Sequence, residues 1–155
     1  MPEEQGILAR RRIEAEIIKP IYAILRRDYG EPRAREIIAE AIAAAAREAG
    51  RLAAAAAGGK TGLASFAKLL PLWLKDDALE IDVIRHDAGH FDYDVKRCRY
   101  AEMYRELGLG DELGALLSCG RDSAFIEGYA PGVKLSRGGT IMLGGKVCDF
   151  RYEEG

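Results

Sequence analysis

A chain of 155 residues suits one domain and can bury a sizeable core, so a single unit over residues 1–155 is expected. A net charge of -2 with 31% charged residues lacks the basic excess of a dedicated nucleic-acid binder, which argues against a nucleic-acid partner. The strongest apolar stretch, residues 52–57, is too short to cross a bilayer, and Glu3-Glu4 stand where a leader would be basic; a soluble, cytoplasmic protein with no membrane partner is expected.

Over about residues 3–29, Ile7, Ile13, Ile17, Ile18, Ile21, Ile24 and Leu25 recur at helical spacing, predicting a helix that Pro20 kinks or divides. Gly30 and Pro32 end it and start a second helix over 33–57. Alanine, glutamate and arginine fill that segment, and its small side chains allow close packing against a neighbour. Gly58-Gly59 closes it. A third apolar helix is predicted over about 63–74 through Phe66, Leu69, Leu70 and Trp73, bent or shortened by Pro71. Residues 1–75 thus read as a helical layer, one face of which is a candidate for self-association into a homo-oligomer.

After Asp76-Asp77 the period changes. Leu79, Ile81 and Val83 alternate with Glu80 and Asp82, and beyond Asp87-Ala88-Gly89 the alternation resumes at Phe91, Tyr93 and Val95, the pattern of a β-hairpin. Helices follow over about 99–107, ended by Gly108, and about 112–128, ended before Pro131. Strands over 133–143 and 146–152 flank Gly144-Gly145, a pair suited to a tight hairpin turn, with Gly138-Gly139 as a bulge. The predicted class is α+β: a helical N-terminal layer, then two β-hairpins forming an antiparallel sheet with two intervening helices.

Chemistry concentrates in the second half, which holds all three cysteines, each beside ionisable residues: Lys96-Arg97-Cys98-Arg99, Cys119-Gly120-Arg121-Asp122 and Cys148-Asp149-Phe150-Arg151. Basic neighbours lower a thiol pKa and favour the thiolate. An odd number of cysteines points to reduced thiols, not a disulfide framework. On a helix, Cys119, Asp122 and Ser123 share one rim at i, i+3 and i+4; against this stands simple core filling by Cys119, with Asp122 paired to Arg121. On the last strand, period two puts Cys148, Phe150 and Tyr152 on one face and Asp149 and Arg151 on the other, where a solvent-side pair is expected. Cys98 falls at a strand-to-helix junction, where unpaired backbone N–H groups lower a thiol pKa.

Other motifs are weaker. His86 and His90 bracket the first hairpin turn, and H-x-x-x-H suits zinc on a helix, not in a β-turn; no C-x-x-C pair is present, so no metal is assigned. Gly58-Gly59-Lys60-Thr61 follows a helix where a phosphate-binding loop requires a strand, which excludes a nucleotide site.

The run Cys98-Arg99-Tyr100-Ala101-Glu102-Met103-Tyr104-Arg105-Glu106-Leu107-Gly108, then Cys119-Gly120-Arg121-Asp122, Thr140-Ile141-Met142 and Cys148-Asp149-Phe150-Arg151-Tyr152, resembles the L-2-amino-thiazoline-4-carboxylic acid hydrolase family. The resemblance implies hydrolytic opening of a small carboxylated cyclic amidine to a carbamoyl-cysteine product, with a small-molecule substrate and no cofactor. Reasoning from the residues, Cys119 is the expected nucleophile, Asp122 relays protons or orients water, and Cys148 shares the pocket, with Cys98 as a competing thiol. Arg137 is expected on the substrate carboxylate, assisted by Thr140. Two other readings stand beside it: a noncatalytic module binding a small ligand or a metal, with structural or sensing cysteines, and an oxidoreductase using a Cys119–Cys148 pair.

Overall fold

The computed structural model describes residues 6–154. Helix α1 spans Ile7–Tyr29 and α2 spans Glu31–Ala56, joined at Gly30, whose φ of 84° is open to glycine. Residues 3–5 of the predicted first helix lie outside the described residues. Pro20 does not divide α1. The carbonyl that a proline leaves without its i+4 donor belongs to Glu16, and both residues are exposed, so water can serve it. Along α2, Ala34, Ile38, Ile42, Ala46 and Gly50 form the buried stripe.

The apolar stretch predicted as one helix over 63–74 is two, α3 (Leu63–Ala67) and α4 (Leu70–Leu74), because Pro71 belongs in the first turn of a new helix where no N–H is missed. A 3-10 turn, Lys75–Asp77, leads into strand β1 (Leu79–His86), which forms the predicted hairpin with β2 (His90–Cys98). Helix α5 (Arg99–Glu106) follows directly.

Four expectations fail in the last third. The helix expected over 112–128 is broken into α6 (Asp111–Leu117) and α7 (Arg121–Tyr129). Gly120 N–H donates to Ala115 O at 2.9 Å and Arg121 Nε to Leu117 O at 2.6 Å, so the last carbonyls of α6 are satisfied from outside the helix and the chain can turn at Ser118-Cys119-Gly120. The tight hairpin around Gly144-Gly145 is absent too. Strand β3 (Val133–Ser136) pairs with β4 (Cys148–Glu154) from Val133↔Glu154 to Ser136↔Arg151, and residues 137–147 form a loop. Gly138-Gly139 is no bulge: both N–H groups donate to the Asp149 carboxylate at 2.8–3.0 Å, which carries the chain away from the ladder after Ser136. Asp149 therefore does not form the expected pair with Arg151, whose guanidinium reaches Asp94 at 2.9 Å.

The four strands form one antiparallel sheet in the order β1-β2-β4-β3, and the α+β class stands. Period two puts Phe91, Tyr93 and Val95 of β2 beside Cys148, Phe150 and Tyr152 of β4, all buried on the inner face. That face packs with α3, α4 and α7 in one apolar cluster; α1, α2, α5 and α6 build a second. Leu79, Cys98 and Ile141 touch both. The α2–α7 contact is backbone on backbone: a Cβ on Gly50 would lie 2.2 Å from Phe125 O, and one on Gly128 would lie 2.1 Å from Arg47 O. Among the described residues no helix is long and apolar enough to cross a membrane.

Candidate active site

At the junction of the two clusters lies a cavity of about 60 Å³ whose walls include Cys98, Cys119, Cys148, Asp122 and Arg137. Five of the six residues expected from sequence thus come from separate elements to one place. Cys98 caps the N-terminus of α5, with its sulfur accepting Ala101 N–H at 3.4 Å. Cys119 sits in the break between α6 and α7, so it shares no helical face with Asp122 and Ser123, and Ser123 points to solvent. Cys148 opens β4 on the inner face of the sheet and accepts Ile141 N–H at 3.2 Å. Thr140 is placed elsewhere: it is buried, its carbonyl accepts Leu143 and Gly145 N–H, and it lines neither this cavity nor the chamber beside it.

Asp122 does not pair with Arg121. Its Oδ2 accepts Arg137 Nη1 at 2.7 Å, while Arg137 Nη2 donates to Cys119 O at 2.9 Å and the guanidinium lies 5.1 Å from the Phe150 ring centroid. Arg137 thereby fixes both the carboxylate and the backbone carrying the thiol, with two of its donors committed. Arg121 turns instead to Glu14 Oε2 at 2.7 Å, and Arg11 Nη1 donates to the same carboxylate at 3.1 and 3.3 Å. Two guanidiniums share one carboxylate. The sequence reading missed Arg11 and Glu14; their signal is a charged pair in the inward face of α1, at i+4 and i+7 from Ile7 and beside buried Ala15.

Adjoining the thiol cavity is a chamber of about 330 Å³, which shares Ile7, Arg11, Trp73, Leu79, Arg121, Asp122 and Phe150 as walls. Together the two hollows are bordered by Arg10, Arg11, Arg121 and Arg137 against Glu14 and Asp122, an excess of positive charge suited to an anionic guest.

The expectation of acidified thiols is overturned. Burial pushes Cys98 up to about 11 and Cys119 up to about 12, and it raises Cys148 as well. The Asp122 charge adds to the rise at Cys119, and Arg137 opposes it. The N–H groups at Cys98 and Cys148 lower their thiols less than burial raises them. Three of the flanking cations are engaged away from the sulfurs: Lys96 with Asp82, Arg97 with Glu102 and Glu80, and Arg151 with Asp94. Desolvation also raises the Asp122 carboxyl, with Arg137 holding it down.

A stability consequence follows from linkage. A thiol whose pKa is raised on folding keeps its proton in the folded state while the unfolded chain loses it, so its contribution is complete below about pH 9 and is lost as pH climbs toward 11 for Cys98 and 12 for Cys119. The unfolding free energy from urea titrations is expected to fall between pH 8 and pH 10.5, with a slope above about pH 9 of about 1.4 kcal/mol per pH unit for each thiol that retains its proton. A Cys98→Ala/Cys119→Ala chain should fall distinctly less; an equal fall would show that these thiols have no part in it.

His86 and His90 flank the first turn, where His90 Nδ1 lies 3.3 Å from Asp87 Oδ1, far from the thiols in the sheet register. No group of three or more His, Cys, Asp or Glu among the described residues could hold a metal ion.

Among solved structures the chain is similar to the phenol-responsive sensory domain of the transcription activator PoxR, solved with phenol: 14% identity and a TM-score of 0.53, covering 99% of this chain and 79% of that one. At that identity the likeness is one of fold. No curated protein matches the chain. The family model described as L-2-amino-thiazoline-4-carboxylic acid hydrolase matches residues 10–152, a span that takes in all three thiols, Asp122, Arg137, Arg11 and Glu14. The chain therefore belongs to the L-2-amino-thiazoline-4-carboxylic acid hydrolase family.

Proposed function

We propose that the protein is a hydrolase that opens a small carboxylated cyclic amidine, with Cys119 as nucleophile. The observation that carries this reading is the gathering of three thiols, Asp122 and Arg137 around one cavity at the edge of a positively charged chamber. Family membership supports the reaction class.

The neutral resting thiol sets the order of events. A cyclic amidine is itself a base. As it binds, the Cys119 proton passes to the amidine nitrogen, through Asp122, leaving a thiolate beside an amidinium carbon, the pairing that stabilises both. A sulfur–carbon bond forms. The bond from that carbon to a ring heteroatom then breaks, and the departing atom takes the proton that the amidine nitrogen had received, returned through Asp122, which leaves a neutral sulfur-bound amidine. Water attacks the resulting sulfur-bound amidine, Asp122 takes a water proton and delivers it to Cys119 Sγ, and the product leaves as a carbamoyl compound. One water is consumed in all. Arg137 positions Asp122 and the Cys119 backbone, and the substrate carboxylate goes to Arg11 and Arg121, which share the one carboxylate of Glu14. Cys148 and Cys98 wall the ring.

The test is direct. With 2-aminothiazoline-4-carboxylate the full chain is expected to form a carbamoyl-cysteine, and acid quenching during turnover should trap a mass increment equal to the substrate on the peptide bearing Cys119. Product without such an adduct in any quench would move the attack to water, with Asp122 as general base. The second reading, a noncatalytic small-ligand module, draws on the raised thiols and the apolar chamber; it predicts saturable binding with no product.

A further inference from the structure

The chamber beside the thiols is larger than the proposed chemistry requires. At about 330 Å³ against about 60 Å³ for the thiol cavity, it falls in the size range of pockets that hold whole small molecules. A bare five-membered ring reacting at Cys119 would leave most of it unfilled. Its walls outside the thiol cavity include the apolar Phe66, Leu69 and Phe125, and Trp73 stands at the shared boundary, with the Trp73 and Phe125 rings edge-on at 5.2 Å and Phe66 and Trp73 at 6.5 Å. Such edges and faces accept a further ring in offset or T-shaped contact. Small side chains on α2, Ala45 and Ala49, and the exposed Leu72 border it, so the chamber opens to solvent. The charges on its walls are Arg10, Arg11 and Arg121 against Glu14 and Asp122, and Asp122 is already held by Arg137.

We infer that the substrate is a carboxylated cyclic amidine bearing an aryl or branched alkyl substituent: the ring reacts in the thiol cavity, the substituent fills the chamber against Phe66, Trp73 and Phe125, and the carboxylate meets Arg11 and Arg121. The inference rests on the hydrolase reading for the place of the ring alone. The apolar walls and the excess charge define the occupant as an anionic amphiphile by themselves.

The experiment uses a full-length Cys119→Ser chain, so that binding is read without turnover, and titrates it calorimetrically with 2-aminothiazoline-4-carboxylate, its 5-phenyl derivative, acetate and 3-phenylpropionate. The phenyl member of each pair is expected to bind at least tenfold more tightly. Ala49→Trp fills the chamber and should bring both ratios close to one. Leu72→Glu places a charge at an exposed position on the mouth, where folding is not at stake, and should lower both ratios in the same sense. Ratios near one in the parent, or ratios that survive both substitutions, would overturn the inference. An aryl preference in a wild-type chain that hydrolyses neither ring would support the chamber assignment and end the hydrolase reading; turnover of the bare ring without any aryl preference would do the reverse.

Discussion

A Cys119→Ala chain is expected to bind the carboxylated amidine and lose its hydrolysis by roughly 10³-fold or more, the scale seen when a covalent nucleophile is removed from a unit that acts together. The binding groups are elsewhere: Arg11 and Arg121 meet at Glu14, and Arg137 keeps its bond to Asp122 whatever side chain residue 119 carries, because its other bond goes to the residue 119 carbonyl. Asp122→Asn removes the proton relay and should cost roughly 10²- to 10⁴-fold, while retaining the adduct if attack still occurs. Cys98→Ala and Cys148→Ala remove walls, not the attacking atom, and should cost far less. Turnover numbers for the four variants, with affinity measured separately, check the ranking. Near-normal turnover in Cys119→Ala would sink the covalent mechanism, and a ranking in which Cys148 or Cys98 tops the losses would reassign the nucleophile.

The second large effect concerns the backbone contact that holds the site's helix in place. Gly128→Ala puts a Cβ 2.1 Å from Arg47 O and 3.0 Å from Arg47 C, and Gly50→Ala puts one 2.2 Å from Phe125 O and 2.9 Å from Tyr129 N. Those obstacles are main chain in two long-packed helices, so α2 and α7 must separate. A loss of about 3 kcal/mol or more is expected for each, at the upper end for overpacking. Activity should fall with it, because α7 carries Arg121, Asp122 and Phe125 to the site. Gly114→Ala is the contrast: its nearest atoms are Cε and Sδ of Met142 at 2.7 and 2.9 Å, the end of a side chain that can swing aside, and about 1 kcal/mol or less is expected. Urea unfolding followed by circular dichroism measures all three. If Gly128→Ala unfolds within about 1 kcal/mol of the parent, the close approach of the helices is not what holds α7.

Much of this architecture is legible along the chain because the controlling forces are local. The alternation Phe91, Tyr93, Val95 and Cys148, Phe150, Tyr152 fixes which faces of β2 and β4 are buried, and the isoleucine and alanine spacing fixes α1 and α2. Where sequence reasoning fails, a distant group has intervened. The helix expected over 112–128 breaks because the Arg121 side chain satisfies Leu117 O, and the hairpin expected at Gly144-Gly145 gives way to a loop because Asp149 gathers Gly138 and Gly139. Arg11 and Glu14 carry no such signal in the sequence because a charged pair on a helix usually faces water; only the neighbours of α1 make it the rim of a hollow.

The sequence by itself determined the two long helices, the first hairpin, the α+β class and the family, because periodicity, turn residues and ordered motifs are written within short stretches of chain. The tertiary structure alone decided that Asp122 belongs to Arg137 and not to its neighbour Arg121, that two guanidiniums share Glu14, and that the thiols are held protonated. The physical reason is desolvation: a thiol's acidity follows the water and charge that packing leaves around it, and residues beside it in sequence can turn their charges to other partners.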